Sequence, residues 1–143
     1  MENPALARAP DFIWPVRVYY EDTDAAGVVF YANYLKFMER ARTEWLRALG
    51  FEQTALMSEH NIVFVVRSIA LEFLRPALFN DALEVTVELT DARGSVLEIA
   101  QSVQRAQSKL VSGDVRVACV NTQTFKPVRI PTSILDKLAM RQA

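Results

Sequence analysis

Residues 33–50, NYLKFMERARTEWLRALG, contain the pattern from which the architecture of the chain can be inferred. Apolar side chains recur there at helical spacing and form one wide stripe, which predicts an amphipathic helix over about 33–49. The stripe consists of Tyr34, Phe37, Met38, Ala41, Trp45, Ala48 and Leu49. Gly50 follows at the position where a left-handed residue commonly ends a helix. Because so bulky a stripe has to be buried against a large surface, we expect this helix to pack on a sheet.

Five other segments are rich in β-branched and aromatic residues and are predicted to be strands. They are residues 12–20, 61–73, 82–90, 95–105 and 110–125. Turns are expected at 91–94 and near 107–109. Pro15 predicts that the first strand lies at an edge of the sheet or is interrupted, and Gly113 predicts a bulge in the last one.

The order of these elements predicts an α+β fold in which one long helix covers an antiparallel sheet. We expect a flexible N-terminal arm over residues 1–11 and a single domain over residues 12–143. Pro131 suits the first turn of a short helix over about 132–141. The strand at 61–73 is apolar on both faces, which leaves surface for a second copy of the protein to cover.

The composition narrows the class of protein. The chain has 143 residues and a net charge of -1, so no basic surface for nucleic acid or anionic membranes is expected. No apolar run approaches the ~20 residues that span a bilayer, and the N-terminus lacks a signal core, which favours the cytoplasm. Cys119, the single cysteine, sits among apolar neighbours and is predicted to be a buried, inert thiol.

Common catalytic patterns are missing from the sequence. His60 is the only histidine, and no ligand spacing for a metal is present, so neither a metal site nor a Ser-His-Asp triad is expected. The four glycines form no phosphate-binding loop, which disfavours a nucleotide cofactor. No cofactor is predicted.

An acidic stretch, EDTDAAGVVFY, stands directly before the helix, at residues 21–31. Its carboxylates suit a turn beside the positive end of a helix, and that is the simplest interpretation. The alternative is chemistry. Free N–H groups at a helix start can polarise a carbonyl, and a carboxylate beside it can attack that carbonyl or deprotonate water, so acyl hydrolysis needs no histidine. Gly27 would let the backbone approach a ligand, and Val28 and its apolar neighbours would exclude water.

The same stretch resembles a known signature. The run Y-x-D-T-D-x-x-G-V-V-[FY]-x-x-N-Y, followed by FMERARTEWLR, is similar to the 4-hydroxybenzoyl-CoA thioesterase family, and within it to acyl-CoA thioesterases associated with the bacterial Tol–Pal system. The segments FVVRSIALEFLRPALFND and VRVACVNTQTFKP extend the resemblance to residues 14–130. It implies a hotdog fold, in which an antiparallel sheet of five or more strands wraps a long central helix. It also implies homodimers, commonly paired into homotetramers, with active sites at the dimer interface.

The resemblance assigns roles by position. Asp24, the second aspartate of DTD, matches the family's catalytic carboxylate, which acts as nucleophile or as general base. Tyr31 matches the position whose backbone N–H polarises the thioester carbonyl. Many relatives carry histidine there, so only the backbone role passes to this chain. Asp22 and Glu21 are expected to be structural.

Substrate contacts are expected on the hairpin and on the sheet. Gly27 and Val28 belong to the signature, Arg93 lies near the region that contacts CoA phosphates in relatives, and Arg67 and Ser68 are placed near the acyl or pantetheine path. Surface arginines in ordinary contact with solvent are an equal alternative for Arg67 and Arg93. Tyr34, Phe37, Met57 and Phe64 are candidates for the wall of an acyl tunnel.

The predicted function is hydrolysis of an acyl-CoA, short-chain or aromatic, to the free acid and CoA. One alternative is a thioesterase for acyl carrier protein, because both substrates share the phosphopantetheine arm. Another is a non-catalytic protein of the cell envelope that binds acyl-CoA. A hydratase on the same fold is disfavoured because it would need a histidine in the site.

Overall fold

A computed structural model describes residues 9–139 of the chain. The helices and strands follow one another in the order β1 (Phe12–Arg17), α1 (Asn33–Ala48), α2 (Gln53–His60), β2 (Ile62–Phe73), β3 (Ala82–Arg93), β4 (Val96–Arg105), β5 (Ser108–Asn121) and α3 (Thr132–Ala139). A short 3-10 turn, Tyr20–Asp22, lies between β1 and α1. This combination of helices with one sheet agrees with the predicted α+β class.

The central helix forms where its apolar stripe predicts it. Phe37, Met38 and Ala41 are almost fully buried, and they pack into one core with the inward side chains of the sheet. Gly50 ends the helix in a left-handed conformation, φ 95°, and its N–H donates to Arg47 O. Helix α1 lies over β1, β3 and β4, so it leaves the β2 side of the sheet less covered.

All strand pairs are antiparallel, and the five strands lie in the order β1-β3-β4-β5-β2. The prediction of an antiparallel sheet covered by one long helix is therefore confirmed. Strand β1 is at one edge, which confirms the edge position inferred from Pro15. Strand β2 forms the other edge.

Local chain reversals differ from their predicted positions. Residues 91–93, expected in a turn, extend β3, and Arg93 pairs with Val96 across a tight turn at Gly94. The next hairpin turns at Ala106 and Gln107, both with positive φ.

Helix α2 was not predicted, because its hydrophobic pattern has almost no helical periodicity.

The bulge predicted at Gly113 is wrong. Gly113 pairs in register with Leu71 and with Gln101. Its lack of a side chain serves packing instead: a Cβ there would lie 2.6 Å from Leu71 Cδ2 and 2.9 Å from Met38 Cε. The sequence cannot distinguish these two uses of a strand glycine, since the neighbours come from distant segments.

Strand β2 does contain a bulge, at Arg67, where the register with β5 shifts between Val66 and Ser68. The bulge changes which residues face the helix side of the sheet. Phe64 and Val66 lie on this inner face before it, and Ile69, Leu71 and Phe73 after it. Most of β2 from Val65 onward is exposed in the single chain.

The chain ends are only partly described. Residues 1–8 of the predicted arm and residues 140–141 of the predicted last helix lie outside the described residues. Next to β1, the Asp11 N–H donates to Val87 O at 2.8 Å, and Asp11 Oδ2 accepts from the Leu89 N–H at 2.7 Å. The flexible arm over residues 1–11 stays a prediction.

Candidate active site

The acidic stretch forms a small hairpin that leads into α1. The Asp24 N–H donates to Val28 O at 2.9 Å, and the Phe30 N–H donates to Asp22 O at 2.8 Å. Gly27 closes the turn with φ 83°, a conformation that glycine adopts without strain, and its N–H donates to Asp24 O. The segment that carries Asp24 therefore lies against the segment that enters the helix.

Asp22 ties this hairpin to the helix. Its carboxylate is buried, and each oxygen accepts one bond at 2.8 Å, from the Tyr19 N–H and from Asn33 Nδ2. Asn33 is the first residue of α1. Asp22 thus fixes the position of the helix start relative to β1 and is occupied by structural contacts.

Asp24 has a different environment from Asp22. Its side chain is exposed, and its Oδ1 accepts from the Ala26 N–H at 2.8 Å. No residue between 9 and 139 donates to its other oxygen. One carboxylate oxygen is held by the turn, and the side chain as a whole is accessible to solvent.

The start of α1 presents an unused donor. The Asn33 N–H donates to Phe30 O and the Leu35 N–H to Ala32 O, but no group in the described part of the chain accepts from the Tyr31 N–H. The helix has no side-chain cap. A free N–H at this place adds to the positive end of the helix dipole and can hold a partly negative oxygen.

Tyr31 also lines a groove of about 280 Å³, which we call the Tyr31 groove. It is lined by Val29, Tyr31, Tyr34, Phe73, Leu74, Arg75 and Pro76. The rings of Tyr31 and Tyr34 both contact Phe73 of β2, at centroid distances of 6.3 and 5.8 Å. Apart from Arg75 the groove is therefore lined by aromatic and apolar residues, and it suits a thioester with its attached acyl group.

Tyr34 belongs to the framework of the groove. Its hydroxyl accepts from the Ala77 N–H at 3.0 Å, and burial raises the pKa of this phenol. It is therefore a neutral hydrogen-bonding group at physiological pH, and it holds the segment before β3 against α1.

A second cavity, of about 290 Å³, lies between the later half of α1 and the inner face of the sheet. We call it the Arg42 cavity, because a half-buried Arg42 lines it together with Thr43 and Phe64. Arg42 did not emerge from the sequence reasoning. The sequence did contain a signal for it. Arg42 stands four residues after Met38 and three residues before Trp45, and this helical spacing places its charge beside the apolar stripe.

The structure brings only some of the predicted site residues together. Gly27 and Val28 share the hairpin with Asp24. Arg67 is exposed on the β2 bulge, and Ser68 faces the outer side of the sheet, paired with Arg116. Arg93 is the last residue of β3, and its side chain is 80% exposed and ion-paired to Asp91. Along β3, Arg93 is on the order of 30 Å from the hairpin that carries Asp24. Within one chain these last three residues stand away from Asp24.

Of the tunnel candidates, Tyr34 lines the Tyr31 groove and Phe64 lines the Arg42 cavity. Phe37 is buried in the core, and Met57 is exposed on α2. The structure thus divides the four residues between two cavities, the core and the surface.

Other candidate chemistry is absent from the described residues. His60 is exposed at the end of α2. Cys119 is fully buried, and burial raises the pKa of its thiol to about 11, so the predicted buried thiol is confirmed. No group of three potential metal ligands occurs within residues 9–139, and no helix there is long and apolar enough to cross a membrane.

Comparison with known proteins identifies relatives of the whole domain. The thioesterase-like superfamily matches over residues 18–138. The chain is 48% identical over 125 residues to the acyl-CoA thioester hydrolase YbgC of Escherichia coli O6:H1, covering 87% of this chain and 92% of the relative. It is 44% identical over 123 residues to the acyl-CoA thioesterase YbgC of Haemophilus influenzae, covering 86% and 90%.

The likeness extends to solved structures. A probable thioesterase from Bartonella henselae superposes with a TM-score of 0.80 at 37% identity, covering 83% of this chain and 98% of that one. Together with the family match, this confirms the predicted hotdog fold.

Proposed function

Since the chain belongs to the thioesterase-like superfamily and is an acyl-CoA thioester hydrolase, we propose that Asp24 and the Tyr31 N–H carry out the hydrolysis. The observation that supports this assignment is the Tyr31 N–H at the start of α1, which has no acceptor within residues 9–139 and lies on the chain segment paired with the one that carries Asp24. The products are the free acid and CoA. The acyl group is short or aromatic, in keeping with a groove of about 280 Å³.

The chemistry follows from the two groups. The thioester oxygen accepts a hydrogen bond from the Tyr31 N–H, and the helix dipole stabilises the negative charge that develops on that oxygen. With Asp24 as nucleophile, its carboxylate oxygen bonds to the carbonyl carbon, the C–S bond breaks and CoA leaves as thiolate. Water then hydrolyses the mixed anhydride and restores the carboxylate.

Asp24 acting as general base gives the same products. It takes a proton from water as the hydroxide adds to the carbonyl carbon, the C–S bond breaks, and the proton neutralises the departing thiolate. A single turnover in heavy-oxygen water separates the routes. On the nucleophilic route, water that cleaves the anhydride can leave its labelled oxygen in the Asp24 carboxylate, whereas the base route leaves the label in the product acid alone.

The exposed site is completed by a second copy of the chain. Asp24 and Tyr31 are both exposed, and the neighbouring edge strand β2 presents Val65, Val66 and Phe73 to solvent. Pairing two β2 edges about a two-fold axis would cover these side chains and exclude water from the reaction. It would also bring the partner's Arg93 to the end of the joined sheet where Tyr31 lies, in reach of CoA phosphates.

The decisive experiment replaces Asp24 by asparagine. Asp24→Asn keeps the size and polarity of an exposed side chain, so we expect folding and oligomeric state to persist while kcat falls by roughly 100-fold or more. Thiol release from a panel of aliphatic and aromatic acyl-CoAs measures the effect. Glu21→Gln is the matched control, since Glu21 is an exposed carboxylate of the same segment, and we expect it to retain near-wild-type turnover.

Near-wild-type hydrolysis by Asp24→Asn would contradict the mechanism. The carrier-protein substrate, the cytoplasmic location, the tetramer and the link to the Tol–Pal system stay predictions. Comparing hydrolysis of one acyl group on CoA and on acyl carrier protein tests the first of them.

A further inference from the structure

The Arg42 cavity combines an apolar wall with polar groups. Its wall contains Trp45, Leu46, Phe64, Val66, Leu97 and Ile99. Its polar residues are Glu39, Arg42, Thr43 and Gln53. A cavity of about 290 Å³ is at the small end of ligand sites, and this mixture of surfaces is typical of sites that hold an apolar body with a polar tip.

Arg42 lines this cavity, and most of its donors have no acceptor among the described residues. Its Nη1 donates to Gln101 Oε1 at 2.9 Å, and Gln101 is held in turn by Nε2 contacts to Met38 O and Thr86 O at 3.2 and 3.3 Å. No carboxylate within residues 9–139 forms an ion pair with Arg42. A guanidinium has five N–H donors, so several remain for a ligand on a rigidly positioned side chain.

The charges around the cavity favour one kind of ligand atom. Burial lowers the pKa of Arg42, while Glu39, one turn earlier on α1, opposes that shift. The guanidinium is therefore a desolvated cation whose charge is partly offset by an exposed carboxylate at the rim. An uncharged oxygen gains a charge-assisted hydrogen bond there without repulsion from Glu39, which a carboxylate ligand would encounter.

The position of the cavity links it to the site of the other subunit. Along α1, Arg42 is about 14 Å from Asn33, so it is remote from Tyr31 of its own chain. Within β2 the exposed and half-buried residues run from Val65 to Phe73, and the bulge at Arg67 removes one pairing position, so the centre of this stretch falls between Ile69 and Ala70. A two-fold axis through Ala70 would pair Val66 of one copy with the partner's Phe73.

Val66 lines the Arg42 cavity, and Phe73 lines the Tyr31 groove. Both side chains are on the inner face of the sheet, and an antiparallel pair keeps opposed residues on the same face. With this axis the Arg42 cavity of each copy would adjoin the Tyr31 groove of the other.

We propose that the Arg42 cavity receives the far end of the acyl group whose thioester is held at the partner's Tyr31, and that Arg42 selects acyl groups bearing a hydroxyl or carbonyl oxygen at that end. This proposal rests on the proposed function. It adds the class of substrate and identifies the subunit whose Arg42 contacts the far end of the acyl group. Arg42 is here a specificity-determining residue and takes no part in breaking the C–S bond.

The first test uses paired substrates. A series of ω-hydroxyacyl-CoAs of increasing length is compared with acyl-CoAs of the same heavy-atom count that end in methyl. We expect one length at which the hydroxyl form has the higher kcat/KM, and we expect Arg42→Met to lower the ratio of hydroxyl to methyl substrate by roughly 10- to 100-fold. Arg40→Met, an exposed arginine on the same helix, is the control and should leave the ratio unchanged.

The second test asks which subunit contributes Arg42. Asp24→Asn and Arg42→Met chains are co-expressed and the mixed dimer is purified by two affinity tags. If each site combines residues of both chains, one site of the mixed dimer contains an intact Asp24 from one chain and an intact Arg42 from the other. The preference for the hydroxyl substrate, which Arg42→Met alone lacks, then returns. If Arg42 served its own chain, the only site with an intact Asp24 would have a methionine side chain in place of the guanidinium, and no preference would return.

The outcomes separate this inference from the proposed function. If the wild-type protein releases no thiol from any acyl-CoA, the proposed function itself fails. If it hydrolyses both members of every pair equally, or if Arg42→Met lowers both rates in parallel, the selective role of Arg42 is wrong while the hydrolase mechanism stands. Thermal unfolding of both variants identifies any loss that comes from folding.

Discussion

Two aspartates two residues apart show how strongly local contacts determine a role. Asp22 is buried and both of its oxygens accept hydrogen bonds from fixed donors. Asp24 is exposed and one of its oxygens is bound within the turn. A buried carboxylate that already accepts a hydrogen bond at each oxygen is less available to a substrate, which supports the proposal that Asp24 is the reactive one.

A prediction at this scale concerns the contact between Asp22 and Asn33. Because Asp22→Ala leaves the Tyr19 N–H and Asn33 Nδ2 without their acceptor, we expect it to lower the free energy of unfolding by about 1–3 kcal/mol. Urea unfolding measures the loss. Asn33→Ala and the double variant complete a cycle, and additive effects would contradict a direct coupling between the two side chains.

At the scale of the elements, the packing of α1 on the sheet depends on a close approach at Gly113. Leu71 of β2 and Met38 of α1 both reach the space that a side chain at this position would occupy. The contact joins the helix to the edge strand, where α1 otherwise gives little cover. It explains why a glycine sits within a fully paired stretch of β5.

We expect Gly113→Ala to destabilise the fold by about 1–3 kcal/mol, because the new Cβ overlaps Leu71 Cδ2 and Met38 Cε. Thermal or urea unfolding checks this value. Leu71→Ala in the same chain removes one of the two overlapping atoms, so the double variant should lose less than the sum of the single losses. Simple additivity would show that the overlap relaxes elsewhere.

For the molecule as a whole, the outer edge of β2 is the feature that a single chain does not explain, since no other strand within residues 9–139 pairs with it. It exposes Val66, Ile69 and Phe73 while its partner β5 is largely buried on the inner side. An apolar, unpaired edge invites pairing with another strand, and two-fold symmetry satisfies both copies at once.

Ile69→Lys tests this surface. A charge near the proposed axis faces its own copy across the interface, so we expect the dimer to dissociate and hydrolysis to fall with it. Analytical ultracentrifugation gives the oligomeric state. Ile13→Lys, on the opposite edge strand β1 and similarly exposed, is the control, and a dimer that survives Ile69→Lys would argue against pairing through β2.

The elements with local sequence signals could be predicted without the structure. The stripe of α1, the alternation of β3 and the edge position of Pro15 all follow from periodicity and backbone chemistry, and the signature around Asp24 placed the candidate carboxylate before the helix. Which groups remain available became visible only in the folded chain. Both oxygens of Asp22 accept hydrogen bonds there, the Tyr31 N–H has no acceptor among the described residues, and Arg42 lines a cavity. Availability depends on contacts between residues far apart in the chain, and these contacts leave no periodic trace in the sequence.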